Sequence, residues 1–170
     1  MKTRQLLPLC AGLFVASLVN HATAAPAVAS DNVTVIYQDP DKFTDVRESS
    51  SSLTSTYYLD VLKTCLQQAA SPLLAPGQKL TITISDIDLA GDIRPGSINN
   101  IRVIKDVFIP RVALKFQLVD GAGKVIKEGD RTLSDLAYMQ RLRLPGSNEP
   151  LYYDKELLKD WVAKEFRAKT

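Results

Sequence analysis

Residues 112–133, VALKFQLVDGAGKVIKEGDRTL, predict a β-hairpin and, through it, the class of fold. The apolar residues Val112, Leu114, Phe116 and Leu118 alternate with small or polar ones, as in a strand that buries one face. Residues 120–123, DGAG, are typical of a tight turn, and the following residues return as a second strand. Because such a hairpin presents its apolar residues on one face, other elements must cover that face.

Three more strands and two helices are predicted around the hairpin. The strands are VTVIY at 33–37, KLTITISDIDL at 79–89 and IRVIKDVFI at 101–109. The first helix is expected to take Ser52 or Thr54 as its N-cap, and the second to take Asp154. Residues 134–142, SDLAYMQRL, are expected to form one or two helical turns, with their apolar face at Leu136, Met139 and Leu142.

Both helices carry apolar residues at helical spacing. The first stripe is Tyr58, Leu62, Cys65, Leu66, Ala69 and Leu73, and the second is Leu157, Leu158, Trp161, Val162 and Phe166. We therefore expect one α+β domain over residues 25–170. It should contain a mostly antiparallel sheet of about four to five strands with two main helices packed on one face.

The start of the chain predicts export. Lys2 and Arg4 precede an apolar run, and Ala22-Thr23-Ala24 has the small residues of a signal-peptidase site. We expect cleavage after Ala24, with cleavage after Ala29 as the alternative. The apolar run is shorter than the roughly 20 residues of a membrane span. A periplasmic protein that does not span a membrane is expected.

Removal of the predicted leader, residues 1–24, changes the balance of charge. The leader holds two of the 21 basic residues and none of the 19 acidic ones, so residues 25–170 are formally neutral. Nucleic-acid binders normally carry a basic excess that neutralises phosphates. We therefore predict no nucleic-acid partner.

The leader also contains His21, the only histidine, and Cys10, one of the two cysteines. Residues 25–170 therefore hold no internal disulfide, no serine–histidine or cysteine–histidine pair and no zinc site of the usual kind. No cofactor is predicted. Cys65 lies on the first apolar stripe, where a buried core thiol and a reactive or dimer-forming thiol are the two interpretations.

Residues 84–96, ISDIDLAGDIRPG, gather Asp86, Asp88 and Asp92 around a glycine. An EF-hand calcium loop beginning at Asp86 fails, because its fifth position is Ala90 and its twelfth is Ser97. On an unbroken strand, Asp86 and Asp88 would share the buried face of the preceding isoleucines, where unpaired carboxylates are costly.

A β-bulge near Ser85 and Asp86 removes that conflict. After it, Ile87 and Leu89 rejoin the core, both aspartates face water, and Asp92 lies in a turn. Three alternatives remain open: pairing of the aspartates with Arg94, Arg102 or Arg111, a divalent-cation site, and a pair of carboxylates that hydrolyses envelope glycan.

Two further segments carry polar side chains beside aromatic ones. Residues 39–45, DPDKFTD, predict a turn that Phe43 packs down. Near the second helix, aromatic and basic residues form either a partner-binding surface or a helix–loop junction with half-buried rings. They are Tyr138, Arg141, Arg143, Tyr152 and Tyr153.

Four stretches resemble a bacterial exported family known as domain of unknown function family 3016. They are VTVIYQDPDKFTDVR, ISDIDLAGDI, IRVIKDVFIPRV and EPLYYDKELLKDWVAKEF, in that order along the chain. The resemblance implies a Gram-negative envelope location and one domain, and it brings no functional residues. At the level of fold, FQLVDGAGKVIKEG is similar to the central hairpin of envelope domains such as the amino-terminal domain of TolB, which bind other proteins.

The sequence thus favours a non-catalytic binding or assembly accessory of the cell envelope, with an envelope protein as the suspected partner. The alternatives are a carboxylate-dependent hydrolase acting on envelope glycan and a divalent-cation-binding module built on Asp86, Asp88 and Asp92.

Overall fold

A computed structural model describes residues 31–47, 53–93, 101–142 and 149–167. The strands are β1 Val33–Tyr37, β2 Lys79–Asp88, β3 Asp92–Ile93, β4 Arg102–Val103, β5 Arg111–Val119 and β6 Val125–Ser134. The helices are α1 Thr56–Ala70 and α2 Tyr152–Phe166, and single 3-10 turns lie at Pro40–Lys42, Ser71–Leu73 and Tyr138–Gln140. The predicted leader lies outside the described residues.

The main sheet has four strands in the order β1-β2-β5-β6, and β3 pairs with β4 in a small separate sheet. β2, β5 and β6 run antiparallel, whereas β1 runs parallel to β2. Two parallel neighbours need a crossover connection, and α1 lies in the connection from β1 to β2. The α+β prediction with a mostly antiparallel sheet is confirmed.

One face of the sheet supports the core. Leu80, Ile82 and Ile84 of β2 are buried, as are the alternating apolar residues of β5. The α2 rings of Trp161 and Phe166 meet Phe116 edge to face at centroid distances of 5.8 and 5.4 Å. The opposite face carries polar side chains and no helix within the described ranges.

The predicted bulge in β2 is present. Ile84 pairs with Leu114 and Asp86 pairs with Ala113, so Ser85 is the extra residue. After it, Ile87 and Leu89 are buried, each with 1% of its surface exposed. The change of apolar phase in the sequence therefore located the bulge correctly.

Both predicted helix caps are wrong. Ser55, rather than Thr54, caps α1, and its hydroxyl accepts a hydrogen bond from the Tyr58 backbone N–H; Ser52 lies outside the described residues. Leu151 holds the N-cap position of α2 in a left-handed conformation, with φ of 51°. Asp154 lies inside the helix, and its side chain binds the Ala90 backbone N–H instead of capping α2.

The predicted strand 101–109 is also wrong beyond its start. Only Arg102 and Val103 are in strand conformation, and the Phe108 N–H then closes a turn onto the Lys105 carbonyl. β2 and β5 each have strands on both sides already. No interior place remains for a further long strand beside them.

Residues 134–142 form a single 3-10 turn at Tyr138–Gln140. The predicted apolar face is wrong, because Leu136, Met139 and Leu142 are 79%, 48% and 95% exposed. Tyr138 is buried instead. The Asp135 carboxylate holds the Ala137 N–H at 3.0 Å, and one turn is too short to repeat a helical spacing.

Within the described ranges, no helix has the length and apolar character to cross a membrane.

The Ser55 cap can be tested by substitution. We expect Ser55→Ala to lower the free energy of unfolding by about 1 kcal/mol, because the Tyr58 N–H loses its acceptor. Urea unfolding followed by circular dichroism measures the change. Thr56→Ala, at the next and exposed position, is the matched control and should change stability much less. Equal losses in the two variants would contradict the cap.

Candidate functional site

The bulge turns Asp86 towards the segment that follows β1. Its carboxylate accepts hydrogen bonds from the Thr44 backbone N–H at 2.7 Å and from the Thr44 hydroxyl at 2.9 Å. Phe43, beside Thr44, is buried as predicted. Asp86 therefore fastens the 39–45 turn to β2.

Asp88 and Asp92 are placed differently from Asp86. Asp88 is half-buried and lies opposite Arg111 in the sheet register. Burial raises the pKa of its carboxyl, neighbouring Asp45 raises it further, and Arg111 lowers it. Asp92 pairs with Val103 in the small sheet, so its predicted place in a turn is wrong.

In the part of the chain that the structure describes, no group of three or more histidine, cysteine, aspartate or glutamate residues is arranged to hold a metal ion. The cation site at Asp86, Asp88 and Asp92 and the glycan hydrolase stay predictions. Of the arginines proposed to pair with these aspartates, Arg111 lies near Asp88, Arg102 binds Asp45 instead, and Arg94 lies outside the described residues.

Arg102 joins three segments of the chain. One terminal nitrogen donates to the Asp45 carboxylate at 2.8 Å and to the Gly91 carbonyl at 3.0 Å, and the other donates to the Arg47 carbonyl at 3.2 Å. The side chains of Arg102 and Asp45 are only 13% and 18% exposed. A guanidinium suits this position because its donors fan out in one plane.

Gly91 lets these segments approach closely. Its φ is +83°, and a Cβ at this position would lie 2.7 Å from both the Val103 carbonyl oxygen and the Ile104 Cδ1. The Gly91 N–H also donates to the Phe108 carbonyl at 3.0 Å. A larger residue here would push Val103 and Ile104 away from Gly91.

Asp154 lies at the other side of this network. It is 3% exposed, and its Oδ1 accepts the Ala90 N–H at 2.9 Å. Burial raises the pKa of Asp154 to about 6, although the Ala90 hydrogen bond and Arg102 oppose the shift. Asp154 therefore connects α2 to a residue just after the end of β2 and lies close enough to Arg102 and Asp45 to feel their charges.

The aromatic and basic residues beside α2 divide into two groups. Tyr138 is fully buried, donates to the Lys105 carbonyl, and meets the Tyr153 ring edge to face at 4.9 Å. Tyr152 packs on Tyr153 and donates to the Leu142 carbonyl at 2.8 Å. The three rings therefore form a helix–loop junction.

Arg141 binds the carboxylates of Asp135 and Asp160, each at 2.6 Å. It thereby ties the 135–142 segment to α2. Arg143 lies outside the described residues.

Six of the eleven large apolar side chains that are exposed in the described residues lie on two segments at one end of the sheet. β5 begins at Arg111 opposite Ser134, the last residue of β6, so segments 101–110 and 135–142 leave the sheet together. The Tyr138–Lys105 hydrogen bond joins them. We call six exposed side chains of these segments the apolar end. They are Ile101, Val107, Phe108, Leu136, Met139 and Leu142.

Sequence reasoning missed this surface. Leu136, Met139 and Leu142 had the right spacing for a buried helix face, and the segment 101–109 had the composition of a strand. The length of the regular elements could have revealed it. Neither segment forms a helix or strand long enough to bury its apolar residues.

A groove of about 720 Å³ runs between α1 and α2. Cys65 lies beneath it, 6% exposed, and its thiol donates to the Lys155 carbonyl at 3.8 Å. Burial raises the pKa of Cys65 to about 11. The interpretation as a core thiol is confirmed. Lys155 and Lys159 beside the groove pair with Glu149 and Glu156.

Comparison with known proteins assigns a family to this arrangement. Residues 31–164 match the family described as "Protein of unknown function (DUF3016)". The chain belongs to this family. The match includes every strand, α1 and most of α2, and it confirms the resemblance carried by the four sequence stretches.

No curated protein sequence matches the chain. Among solved structures, a PelC dodecamer variant from Paraburkholderia phytofirmans is similar. It has 14% sequence identity, covers 86% of this chain and 96% of its own, and superposes with a TM-score of 0.33. The fold-level similarity to the TolB amino-terminal domain stays a prediction.

The role of Arg102 can be measured. We expect Arg102→Ala to lower the free energy of unfolding by about 3 kcal/mol, because a mostly buried carboxylate on Asp45 loses its partner. Lys42→Ala removes an ion pair whose two side chains are 80% and 62% exposed, and it should cost under about 0.5 kcal/mol. Denaturant unfolding of both variants tests the difference. Similar small losses would show that Arg102 does not hold the network.

Asp154 should make stability depend on pH. Because its pKa is raised from 3.8 to about 6, the neutral form stabilises the fold below pH 4, and this stabilisation is lost as pH rises through 6. Asp154→Asn cannot ionise, so its stability relative to the parent should rise by about 3 kcal/mol between pH 4 and 7.

Chemical denaturation across that pH range checks the Asp154 prediction. Asp130→Asn, at an exposed carboxylate, supplies the baseline for removal of one surface charge. Any fixed cost of placing an amide beside the Ala90 N–H cancels, because only the change with pH is compared. A pH-independent difference between Asp154→Asn and the parent would refute the prediction.

Proposed function

We propose that this protein is a periplasmic accessory of the cell envelope that binds another protein through its apolar end and needs no catalysis. The observation that carries the proposal is the exposure of large apolar side chains on two joined segments. Leu136 and Leu142 are 79% and 95% exposed, and Val107 is 70% exposed.

Single exposed apolar side chains are common, whereas a group of them on adjoining segments is typical of an interaction surface. Burial of one such side chain contributes about 1.5–3 kcal/mol. Covering several of them would therefore supply enough free energy for a specific complex, even after the cost of association.

The segments that carry the apolar end are held in place. Tyr138 anchors one segment to the other and to α2. Arg141 binds Asp135 within its own segment and Asp160 on α2. A surface that is ordered before binding loses less conformational entropy in the complex. Lys105 and Asp106 are exposed beside Val107 and Phe108, and charged residues at such positions suit the polar rim of an interface.

The location rests on the amino-terminal sequence. Lys2 and Arg4, the apolar run after them and the Ala22-Thr23-Ala24 site together have the order of a secretory signal. A periplasmic location would place the apolar end among envelope proteins, and the suspected partner belongs to that group.

Site-specific photo-crosslinking in the native cell tests the proposal. We expect a photoreactive residue at position 142 to give a discrete crosslinked species of defined mass in the periplasmic fraction. The same residue at position 63, which is exposed on α1, is the control and should give none. Leu136→Ser with Met139→Ser should abolish the species while leaving the melting temperature unchanged, since exposed side chains contribute little to stability.

Two results would contradict the proposal. One is the absence of any species at position 142, and the other is the same set of species at positions 142 and 63. Recovery of the protein with its leader attached in the cytoplasmic fraction would contradict the proposed location.

A further inference from the structure

β6 leaves an edge of the main sheet open. It is the outermost strand, with ten residues, and seven of them are exposed. Apart from its pairing with β5, no strand or loop of the described ranges forms a backbone ladder with it. The other edge, β1, has five residues, and Gln67 of α1 donates to its Val33 carbonyl at 3.1 Å.

The two faces of β6 carry charges of opposite sign. Glu128 and Asp130 lie opposite Gln117 and Lys115 of β5, on the face away from the helices. Lys127 and Arg131 lie on the helix side, where Glu165 of α2 binds Lys127 at 2.8 Å and Arg131 at 2.9 Å. The basic pair is thus neutralised by the mostly buried Glu165. On the other face, Asp130 pairs with Lys115 at 3.5 Å and Glu128 accepts from Gln117 at 3.1 Å, and all of these side chains are exposed.

In the registers that pair the middle of β6, this pattern disfavours a second copy of the chain. Two β6 strands related by a two-fold axis through the sheet would meet with matching faces. Centred on Gly129, the pairing places Glu128 opposite Asp130 and Lys127 opposite Arg131. Centred on either acidic residue, it places that carboxylate opposite its own copy. Like charges directly opposite each other destabilise a strand pair.

A groove of about 440 Å³ lies along the helix side of the same edge. Leu133, Leu157 and Trp161 provide its apolar lining, and charged side chains such as Arg131, Asp160 and Lys164 provide much of the rest. The indole N–H of Trp161 is buried and has no acceptor among the described residues. A strand placed beside β6 would direct alternate side chains to the helix side, and those that pass residues 131–134 would enter this groove, while the other side chains would lie on the face of Glu128 and Asp130.

We propose that β6 binds an extended segment of a partner protein, in which apolar and basic side chains alternate, as a fifth strand of the sheet. Main-chain hydrogen bonds to the open edge would give affinity, and the alternating side chains would give specificity, as in other cases of strand addition. The inference rests on the proposed function, because β6 ends at Ser134 and its edge leads directly into the apolar end.

Trp161 gives a direct readout, since it is the only tryptophan in the chain and it lines the groove. The protein is expressed with its own amino-terminal segment and purified after any processing by the cell. It is then titrated with a short acetylated peptide of alternating valine and lysine. We expect a saturable change in tryptophan fluorescence. The matched peptide with glutamate in place of lysine should bind at least about tenfold more weakly.

If the inference holds, charge-reversing variants of β6 should reverse the preference for the lysine peptide over the glutamate peptide. Glu128→Lys with Asp130→Lys should bind the glutamate peptide better than the lysine peptide. The control is Asp41→Lys with Asp60→Lys, which makes the same change of net charge at exposed positions away from β6 and should keep the parent preference. A lysine peptide with alternate backbone amides methylated should lose binding, because it cannot complete the ladder.

The remaining outcomes show whether a partner segment, a second copy of the chain or neither occupies the edge. Equal binding of the lysine and glutamate peptides, undiminished binding of the methylated peptide, or no fluorescence change would overturn the inference. So would sedimentation showing a dimer that the β6 double variant disrupts, because a second copy of the chain would then occupy this edge. If the crosslink at position 142 persists in any of these cases, the proposed function stands and only the edge assignment fails.

Discussion

The extra residue at Ser85 is the constraint on which the second half of the fold depends. β2 buries Leu80, Ile82 and Ile84 before it and Ile87 after it, and only one added residue allows both sets to face the helices. Without it, two carboxylates would enter the core at a cost of several kcal/mol. The change of face also aims Asp86 at Thr44, which fixes the turn after β1.

Beyond β2, short polar contacts replace regular secondary structure. Arg102 satisfies carbonyl groups on Gly91 and on Arg47, and Asp154 satisfies the Ala90 N–H. Backbone groups buried away from water must find partners, and segments without long strands must find them in side chains. This explains why two charged residues occupy a nearly dry region that apolar residues would otherwise fill.

The parts of the fold that were predictable follow from local periodicity. Alternation in 112–118 and its change of phase after Ile84 located the hairpin and the bulge, because both patterns reflect which side chains face the core. The predicted strand at 101–109 and the predicted buried face at 134–142 were wrong. Which sheet positions are free, and the burial of Tyr138, determine these segments, and both depend on residues far away in the sequence. Arg102 and Asp154 are 52 residues apart in sequence, and no local pattern brings them near Asp45.

Cys65 has a consequence for how the protein responds to oxidation. Its thiol is shielded by α1 and α2, and its raised pKa leaves hardly any reactive thiolate in the folded state. Oxidising enzymes would meet this sulfur only in chains that have not folded or have opened. As the only cysteine among the described residues, Cys65 therefore distinguishes folded molecules from unfolded ones, and chemical labelling of its sulfur would mark the molecules that have not folded.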